Sequence, residues 1–262
     1  ERVQRLLDPG MPFLRMHSMA NYMMEDENPD TSIPGGSLIV GIGFVQGVRC
    51  MIWADDSGIA AGAATASSVD VGLSLQSVCK RQRLPLIHLV ESAGANLLNY
   101  EVSGWSKFGA IFRNLAQLSS MGIPTMTVLH GASTAGGAYM PGMSDYVIGV
   151  KENGLAALAG AALVKAATGE EANDRELGGT EMHASVSGVV EYLVENDAHA
   201  LQKAREVLGR LDWNKRGQSV SRQSYKPPHY PADELAGAVP TDPKVPYDVR
   251  ELLARIVDDS AI

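Results

Sequence analysis

Residues 121–150 read MGIPTMTVLHGASTAGGAYMPGMSDYVIGV. Pro124 to His130 is a short β-branched and apolar run, long enough for a buried strand. Gly131 to Gly137 follows with six small residues and one Thr, and Ala138-Tyr139-Met140 then opens a helix. A strand that breaks into Gly-Gly at a helix start exposes unpaired backbone N–H groups with the helix dipole behind them. Glycine also removes the Cβ that would keep a ligand off those groups. Gly136-Gly137 can therefore hold a phosphate, a carboxylate or a developing enolate oxygen. The same pattern serves equally as a tight strand-to-helix packing turn, and this stretch alone leaves both readings open.

Working outward, the preceding segments repeat the design. Leu84–Val90 (LPLIHLV) reads as a second buried strand, ending in Glu91-Ser92-Ala93-Gly94-Ala95-Asn96. Gly94-Ala95 is thus a second candidate pair of amide donors, and two amides aimed at one oxygen make an oxyanion hole. Phe108–Met121 has helical spacing at Ile111, Leu115 and Leu118. Val69–Arg83 is helical too, with Lys80, Arg81 and Arg83 in a last turn where cations suit the dipole. Strand, small-residue loop, helix, repeated, is βαβα logic with right-handed crossovers.

Further upstream, Ser37–Phe44 and Val48–Ala54 read as strands joined by Gln46-Gly47, and Asp55–Ser68 is dense in small residues. Glu1–Leu7 has helical spacing, and its Arg2 and Arg5 read as solvated cations rather than ligands of an anion. His88, inside an apolar strand, reads as a hydrogen-bonded core histidine rather than a base. Downstream, Tyr146–Val150 is a strand, and Gly154–Gly160 is a strand or a helix start. Asp197–Leu211 is an amphipathic helix with Asp197 placed as its N-cap. From Asp212 the composition turns polar and Pro-rich, and Val249–Val257 forms a last short amphipathic helix.

Composition narrows the function. The chain has 262 residues, 45% hydrophobic and 20% charged, an ordinary globular balance. A net charge of −8 without a basic stripe argues against nucleic acid as partner. No apolar run reaches the roughly 20 residues of a membrane span. Cys50 and Cys79 make neither a disulfide framework nor a metal spacing, and a reducing compartment fits them. The six histidines form no H-x-x-x-H pair, so no metal site is expected. A start at Glu1 and an abrupt end suggest a portion of a longer protein. G-x-S-x-G, G-x-x-x-x-G-K-[ST] and G-x-G-x-x-G are all absent. What remains is acyl or enolate chemistry at two small-residue strand ends.

VLHGASTAGGAYMPGMSDYVIGV, followed by LAGAALVKAATGEEANDRELGGTEMHASVSGVVEYLVENDAHAL, resembles the β (carboxyltransferase) subunit of biotin-dependent acyl-CoA carboxylases. The nearest resemblance is to the propionyl-, methylcrotonyl- and geranyl-CoA group. LLDPGMPFL, PGGSLIVGIG, LVESAGANL and PPHYPADELAGAVPTDPKVPYDVRELLARIVD extend it over most of the chain in the same order. The resemblance implies an α/β crotonase-like ββα spiral over residues 1–215. Residues 216–262 would then be a linker and the start of a second, mostly absent carboxyltransferase domain. It implies that Gly136 and Gly137 are the enolate-holding pair, with Gly94 and Ala95 the turn beside the acyl group. Ala61, Gly62, Ala135, Ala138, Tyr139, Gly160, Lys165, Thr168 and Gly169 would bind the coenzyme A part of the substrate.

The implied reaction moves CO2 from carboxybiotin, on a partner's carrier domain, to an acyl-CoA, without a metal. The implied partners are a biotin carboxylase/carrier subunit and further copies of the chain, as in a hexamer. The implied compartment is the cytoplasm or, in a eukaryote, the mitochondrial matrix. Two departures stand out. Ala60-Ala61-Gly62-Ala63 replaces the family's K-G-G-[TS], and Ala159-Gly160-Ala161-Ala162 replaces its G-G-P-P. They leave room for a non-catalytic assembly subunit, and a decarboxylase component, which shares the half-reaction in reverse, is a further alternative.

Overall fold

A computed structural model describes residues 1–24, 26–94, 102–215, 226–242 and 244–262. The chain divides into two units, Glu1–Asn214 and Lys215–Ile262.

The first unit is built on one mixed sheet. Strand β1 (Leu14–Met16) lies antiparallel to β2 (Leu38–Val45), which forms a hairpin with β3 (Val48–Asp55). Gln46 (φ 52) and Gly47 (φ 70) turn that hairpin in the left-handed region, the geometry that matches strand twist. Both of their N–H groups donate to the Asp8 carboxylate, which also pairs with Arg205 at 2.8 Å. From β3 the sheet runs parallel through β4 (Leu86–Ser92), β5 (Thr125–Thr134), β6 (Tyr146–Val150) and β8 (Tyr192–Val194). Helix α2 (Ala66–Gln82) connects β3 to β4, and α3 (Val102–Ser120) connects β4 to β5. Alternation places Met51, Leu86 and Leu129 on the face covered by α2 and α3, through Leu75, Leu115 and Leu118. Ile52, Ile87, Val128 and Ile148 face the opposite way, against α1 (Arg2–Leu6) and α8 (Asp197–Arg210).

Several expectations are corrected. The strand at the centre of the sequence does not break at Gly131 but continues to Thr134. Its last part, Ala132–Thr134, pairs with the short strand β7 (Leu155–Ala157), while Met126–Leu129 pair with β6, so β5 forks. Gly131 is needed inside the strand because the Glu91 side chain lies where a Cβ would be, its Cγ 2.7 Å away. The element after the fork is a single 3-10 turn, Ala135–Ala138, followed by α4 (Tyr139–Gly142) of four residues. So short a helix has little dipole, and the amides themselves must supply the stabilisation expected of it. Segment 154–160 resolves into β7 and the N-cap Gly160 of α5 (Ala161–Thr168). Two short helices, α6 (Asp174–Gly178) and α7 (Thr180–Met182), lead on toward β8.

The N-cap of α8 is Asn196, whose side chain accepts from the His199 N–H at 3.0 Å. Asp197 is the first helical residue and is used elsewhere. Its carboxylate binds Arg2 Nε and His130 Nδ1, each at 2.7 Å, and Arg2 also reaches Glu91 at 2.5 Å. Arg2 is therefore a half-buried tie between two carboxylates and not a freely solvated cation. Arg5 pairs with Glu1. Lys80 donates to the side chains of Asn114 and Gln117 rather than capping α2, whose C-cap is Arg83 in the left-handed region.

The second unit contains α9 (Leu235–Ala238) and α10 (Arg250–Leu253). The 249–257 helix is thus shorter than its periodicity predicts, and no described residue of this unit is buried. Arg255 organises it, bound to Glu234 and Glu251 and lying 5.1 Å from the Tyr230 ring centroid.

Candidate active site

Neighbouring parallel strands bring residues into rows. Trp53, His88 and Thr127 form one row across β3, β4 and β5, and Ser92 and Ser133 form a later one. His88, Val90, Ser92 and Gly94, alternate residues of β4 and its continuation, line one wall of a cavity of about 60 Å³. Phe108, Ile111 and Phe112 of α3 and Met140 of α4 make the rest of it largely apolar. The strand from His88 to Ser92 rises about 13 Å, so the cavity has a floor at the His88 row and a mouth by Ser92 and Gly94.

Three glycine turns meet at the mouth. Gly62 (φ 68) lies against the Glu91 carbonyl, so closely that a Cβ would collide with it. The Ser92 hydroxyl donates to the Gly62 carbonyl at 2.7 Å, and the Ala93 N–H donates to the Ala61 carbonyl at 3.0 Å. Gly94 (φ 83) fits against the third turn, where a Cβ would lie 2.7 Å from the Thr134 carbonyl oxygen and 3.2 Å from the Ala135 Cβ. Its own N–H donates to Ser92 Oγ at 3.2 Å. Gly136 faces open space, with nothing within 4 Å of where its Cβ would stand, whereas a Cβ on Gly137 would meet Ser133 Oγ at 3.1 Å. That serine hydroxyl is buried and has no partner among the described residues. Gly136 is the second residue of a 3-10 turn capped by Thr134, so its N–H lacks a partner within the turn, while the i→i+3 pattern places the Gly137 N–H on the Thr134 carbonyl. Three alanines here, Ala60, Ala61 and Ala135, adopt φ between 48 and 52. Such left-handed residues cost about 1–2 kcal/mol each and gather at functional sites.

The floor is made differently. The Trp53 indole stacks on the His88 ring with centroids 4.3 Å apart, and its Nε1–H donates to Asp55 Oδ1 at 3.2 Å. Asp55 also accepts from the Glu91 N–H and sits 3.2 Å from His88 Nε2. His88 is thus a buried core histidine, as its apolar strand implies, with only one ring nitrogen satisfied; its Nδ1 has no partner among the described residues. The sequence does not mark Trp53 and Asp55 as cavity residues, and the one available signal is an aromatic and an acid on the same face at a strand end.

Of the residues expected at the site, Gly62, Gly94, Gly136 and Gly137 line this cavity. Ala95 lies outside the described residues. Ala61, Ala135 and Ala138 belong to the mouth turns, and Tyr139 stacks on the cavity residue Phe112 at 4.8 Å. Gly160, Lys165, Thr168 and Gly169 are on α5 and its caps, which do not line the cavity; the helix follows β7 and so begins beside the fork of β5. There Lys165 pairs with Glu171 at 2.7 Å, Thr168 Oγ1 donates to the Val164 carbonyl, and Gly169 (φ 77) ends the helix. Behind the mouth, burial holds the His130 imidazole below its ordinary value although Asp197 pulls the other way. Cys50 and Cys79 are buried thiols pushed up to about 12 by burial, and are inert.

Residues 1–261 match the carboxyl transferase domain family. Over 99% of its length the chain is 42% identical to a probable biotin-dependent acyl-coenzyme A carboxylase beta2 subunit of Mycobacterium tuberculosis, covering 47% of that protein. It is 43% identical to the biotin-dependent 3-methylcrotonyl-coenzyme A carboxylase beta1 subunit of the same organism, covering 49% of it. The crystal structure of the Pseudomonas aeruginosa geranyl-CoA carboxylase beta subunit superposes with a TM-score of 0.74 at 46% identity, over 99% of this chain and 47% of that one. The chain thus spans about half the length of these relatives, and its α/β fold is the crotonase-like fold of such subunits. A match over nearly every residue, with the glycine turns gathered at one cavity mouth, leads to one conclusion: the chain belongs to the carboxyl transferase domain family.

Proposed function

We propose that this chain is the acyl-CoA half of the carboxyltransferase of a biotin-dependent acyl-CoA carboxylase. It would direct CO2 from carboxybiotin to the α- or γ-carbon of an acyl-CoA. The observation that carries this is the meeting of Gly62, Gly94 and Gly136-Gly137 at the mouth of an apolar cavity. A thioester placed there has its acyl chain among Val90, Ile111 and Phe112 and its carbonyl oxygen at the Gly136-Gly137 turn, beside the Gly136 amide. When the α-proton leaves, negative charge moves to that oxygen, and amides aimed at it stabilise the enolate without reorganising.

Among the described residues, Asp55 and His88 are the ionisable members of the cavity lining, and both sit at the floor, away from the reacting carbon. The lining therefore suits a base brought from outside. Carboxybiotin on a partner's carrier domain would supply the CO2 and, once decarboxylated, that base. Residues 1–215 are the proposed acyl domain and 216–262 the approach to a second domain, with α5 on the side of the coenzyme A chain. The proposed partners are a biotin carboxylase/carrier subunit and further copies of the chain, in the cytoplasm or the mitochondrial matrix.

The test uses the full-length protein with its carboxylase partner. Acyl-CoA binding is measured by titration calorimetry and turnover by carboxylation of the thioester. Binding with biotin-dependent carboxylation is expected. Absence of acyl-CoA binding would remove the proposal, and release of CO2 from malonyl-type thioesters without carboxylation would replace it with a decarboxylase.

A further inference from the structure

We infer that Trp53 is a specificity-determining residue that sets how long an acyl group the cavity accepts. The inference rests on the cavity being the acyl site. The indole lines the cavity and is only 7% exposed. Three contacts fix it there. One ring face is stacked on His88 at 4.3 Å with planes 22° apart. Its Nε1–H is bound to Asp55, and that carboxylate is in turn held by the Glu91 N–H and by His88. Its far edge lies over Gly72 of α2, where a Cβ would stand 2.9 Å from Trp53 Cη2 and 3.2 Å from Ile111 Cδ1. The missing side chain at position 72 is therefore the notch that admits the six-membered ring.

An indole held from three sides does not yield to a longer chain as a methionine would. His88, its stacking partner, starts the row that rises through Val90 and Ser92 to Gly94 at the mouth. An acyl group whose thioester sits at the mouth therefore extends along this row and stops at the Trp53–His88 pair. The fixed distance between the amide turn and the indole, about four strand residues, measures the chain. At about 13 Å the span takes an extended linear acyl group of roughly ten carbons, and longer ones do not fit.

The test compares butyryl-, octanoyl-, decanoyl- and tetradecanoyl-CoA binding to the full-length protein and its variants by calorimetry. For the unmodified protein, affinity should rise about fourfold for each methylene buried until the chain meets the indole, then stop rising or fall. Trp53→Val opens the floor, so the rise should continue to the longer thioesters and the tetradecanoyl-to-octanoyl ratio should increase tenfold or more. Gly72→Ala should move the limit the other way, since packed His88 leaves the cavity as the side toward which the ring can shift. If Trp53→Val does not fold, Trp53→Phe, which keeps a stacking ring, should still move the limit toward longer chains. The same length limit in the unmodified protein, the folded Trp53 variant and Gly72→Ala overturns the inference alone. No binding of any acyl-CoA to the unmodified protein overturns the acyl-site reading and this inference with it.

Discussion

At the mouth of the cavity the structure is backbone: glycine turns from three separate loops interlock there, and the one holding Gly136 leaves an N–H without a partner in the turn. At the floor it is side chains, Trp53, Asp55 and His88, locked to one another on two adjacent strands. The mouth carries backbone in left-handed conformations and has open space beside Gly136; at the floor Trp53 and His88 are buried. The difference matches two tasks. Charge that develops during a reaction is best met by dipoles fixed beforehand, and a backbone turn fixes them without depending on side-chain rotamers. Selecting a substrate by size needs volume, which only side chains provide.

The sharpest way to break this contrast is Gly136→Ala. The new methyl meets no protein atom within 4 Å, so folding should be untouched while the thioester is displaced from its amides. Turnover should fall by about 10²–10³, the usual loss for one oxyanion donor, with an unchanged melting temperature. A variant with full activity would show that the mouth is only a packing turn. Gly62→Ala should do the opposite. It forces an alanine to φ 68 and drives its Cβ into the Glu91 carbonyl. Roughly 2–4 kcal/mol of stability should be lost in chemical denaturation. A loss under about 1 kcal/mol would mean that the three turns are not rigidly interlocked.

Acid should loosen the ties behind the mouth. Glu91 packs over Gly131, and Arg2 joins it to Asp197 and His130. The folded His130 pKa lies below its ordinary 6.5, so unfolding takes up a proton. Its contribution to stability is complete above pH 6.5 and declines as the pH falls below that value. Asp197 is held below 3.8: burial works against this, but hydrogen bonds from His130 and Arg2 prevail, and its contribution is lost only in stronger acid. Melting between about pH 7 and 5.5 should therefore show a decline in the unmodified protein that is smaller in His130→Asn; parallel declines would dismiss the imidazole as the cause. The smallest effect is expected for Ala61→Gly, which relieves φ 52 at the cost of a more flexible unfolded chain. A net gain of about 0.5–1 kcal/mol in denaturant midpoints is expected, and a loss would indicate that Ala61 is not strained.

How much of this is legible in the sequence follows from the same contrast. The mouth can be read in advance because each turn is a contiguous run of small residues after an apolar strand, and local patterns survive in sequence. The family and the crotonase-like fold are also legible, through motifs of roughly ten to forty residues in order. The floor is not, because Trp53, Gly72 and His88 come from three elements, and strand register together with the packing of α2 on the sheet brings them together. The N-cap of α8 falls one residue from its expected place since Asn196 and Asp197 are both good caps, and the choice depends on Arg2 and His130, distant in sequence. Likewise β5 runs further than its apolar run suggests, because nothing local announces that Leu155–Ala157 will return to pair with it.

That returning strand gives the molecule a transmission. Through the lower half of β5 the ladder runs to β6; through the upper half it runs to β7, whose next element is α5. Ser133 and Thr134 are tied to Ala156 and Ala157, and the very next residue, Ala135, begins the amide turn. A pull on α5 therefore travels through a few rungs of ladder to Gly136 and Gly137. Whatever rests on that helix and whatever reacts at the turn are mechanically in series.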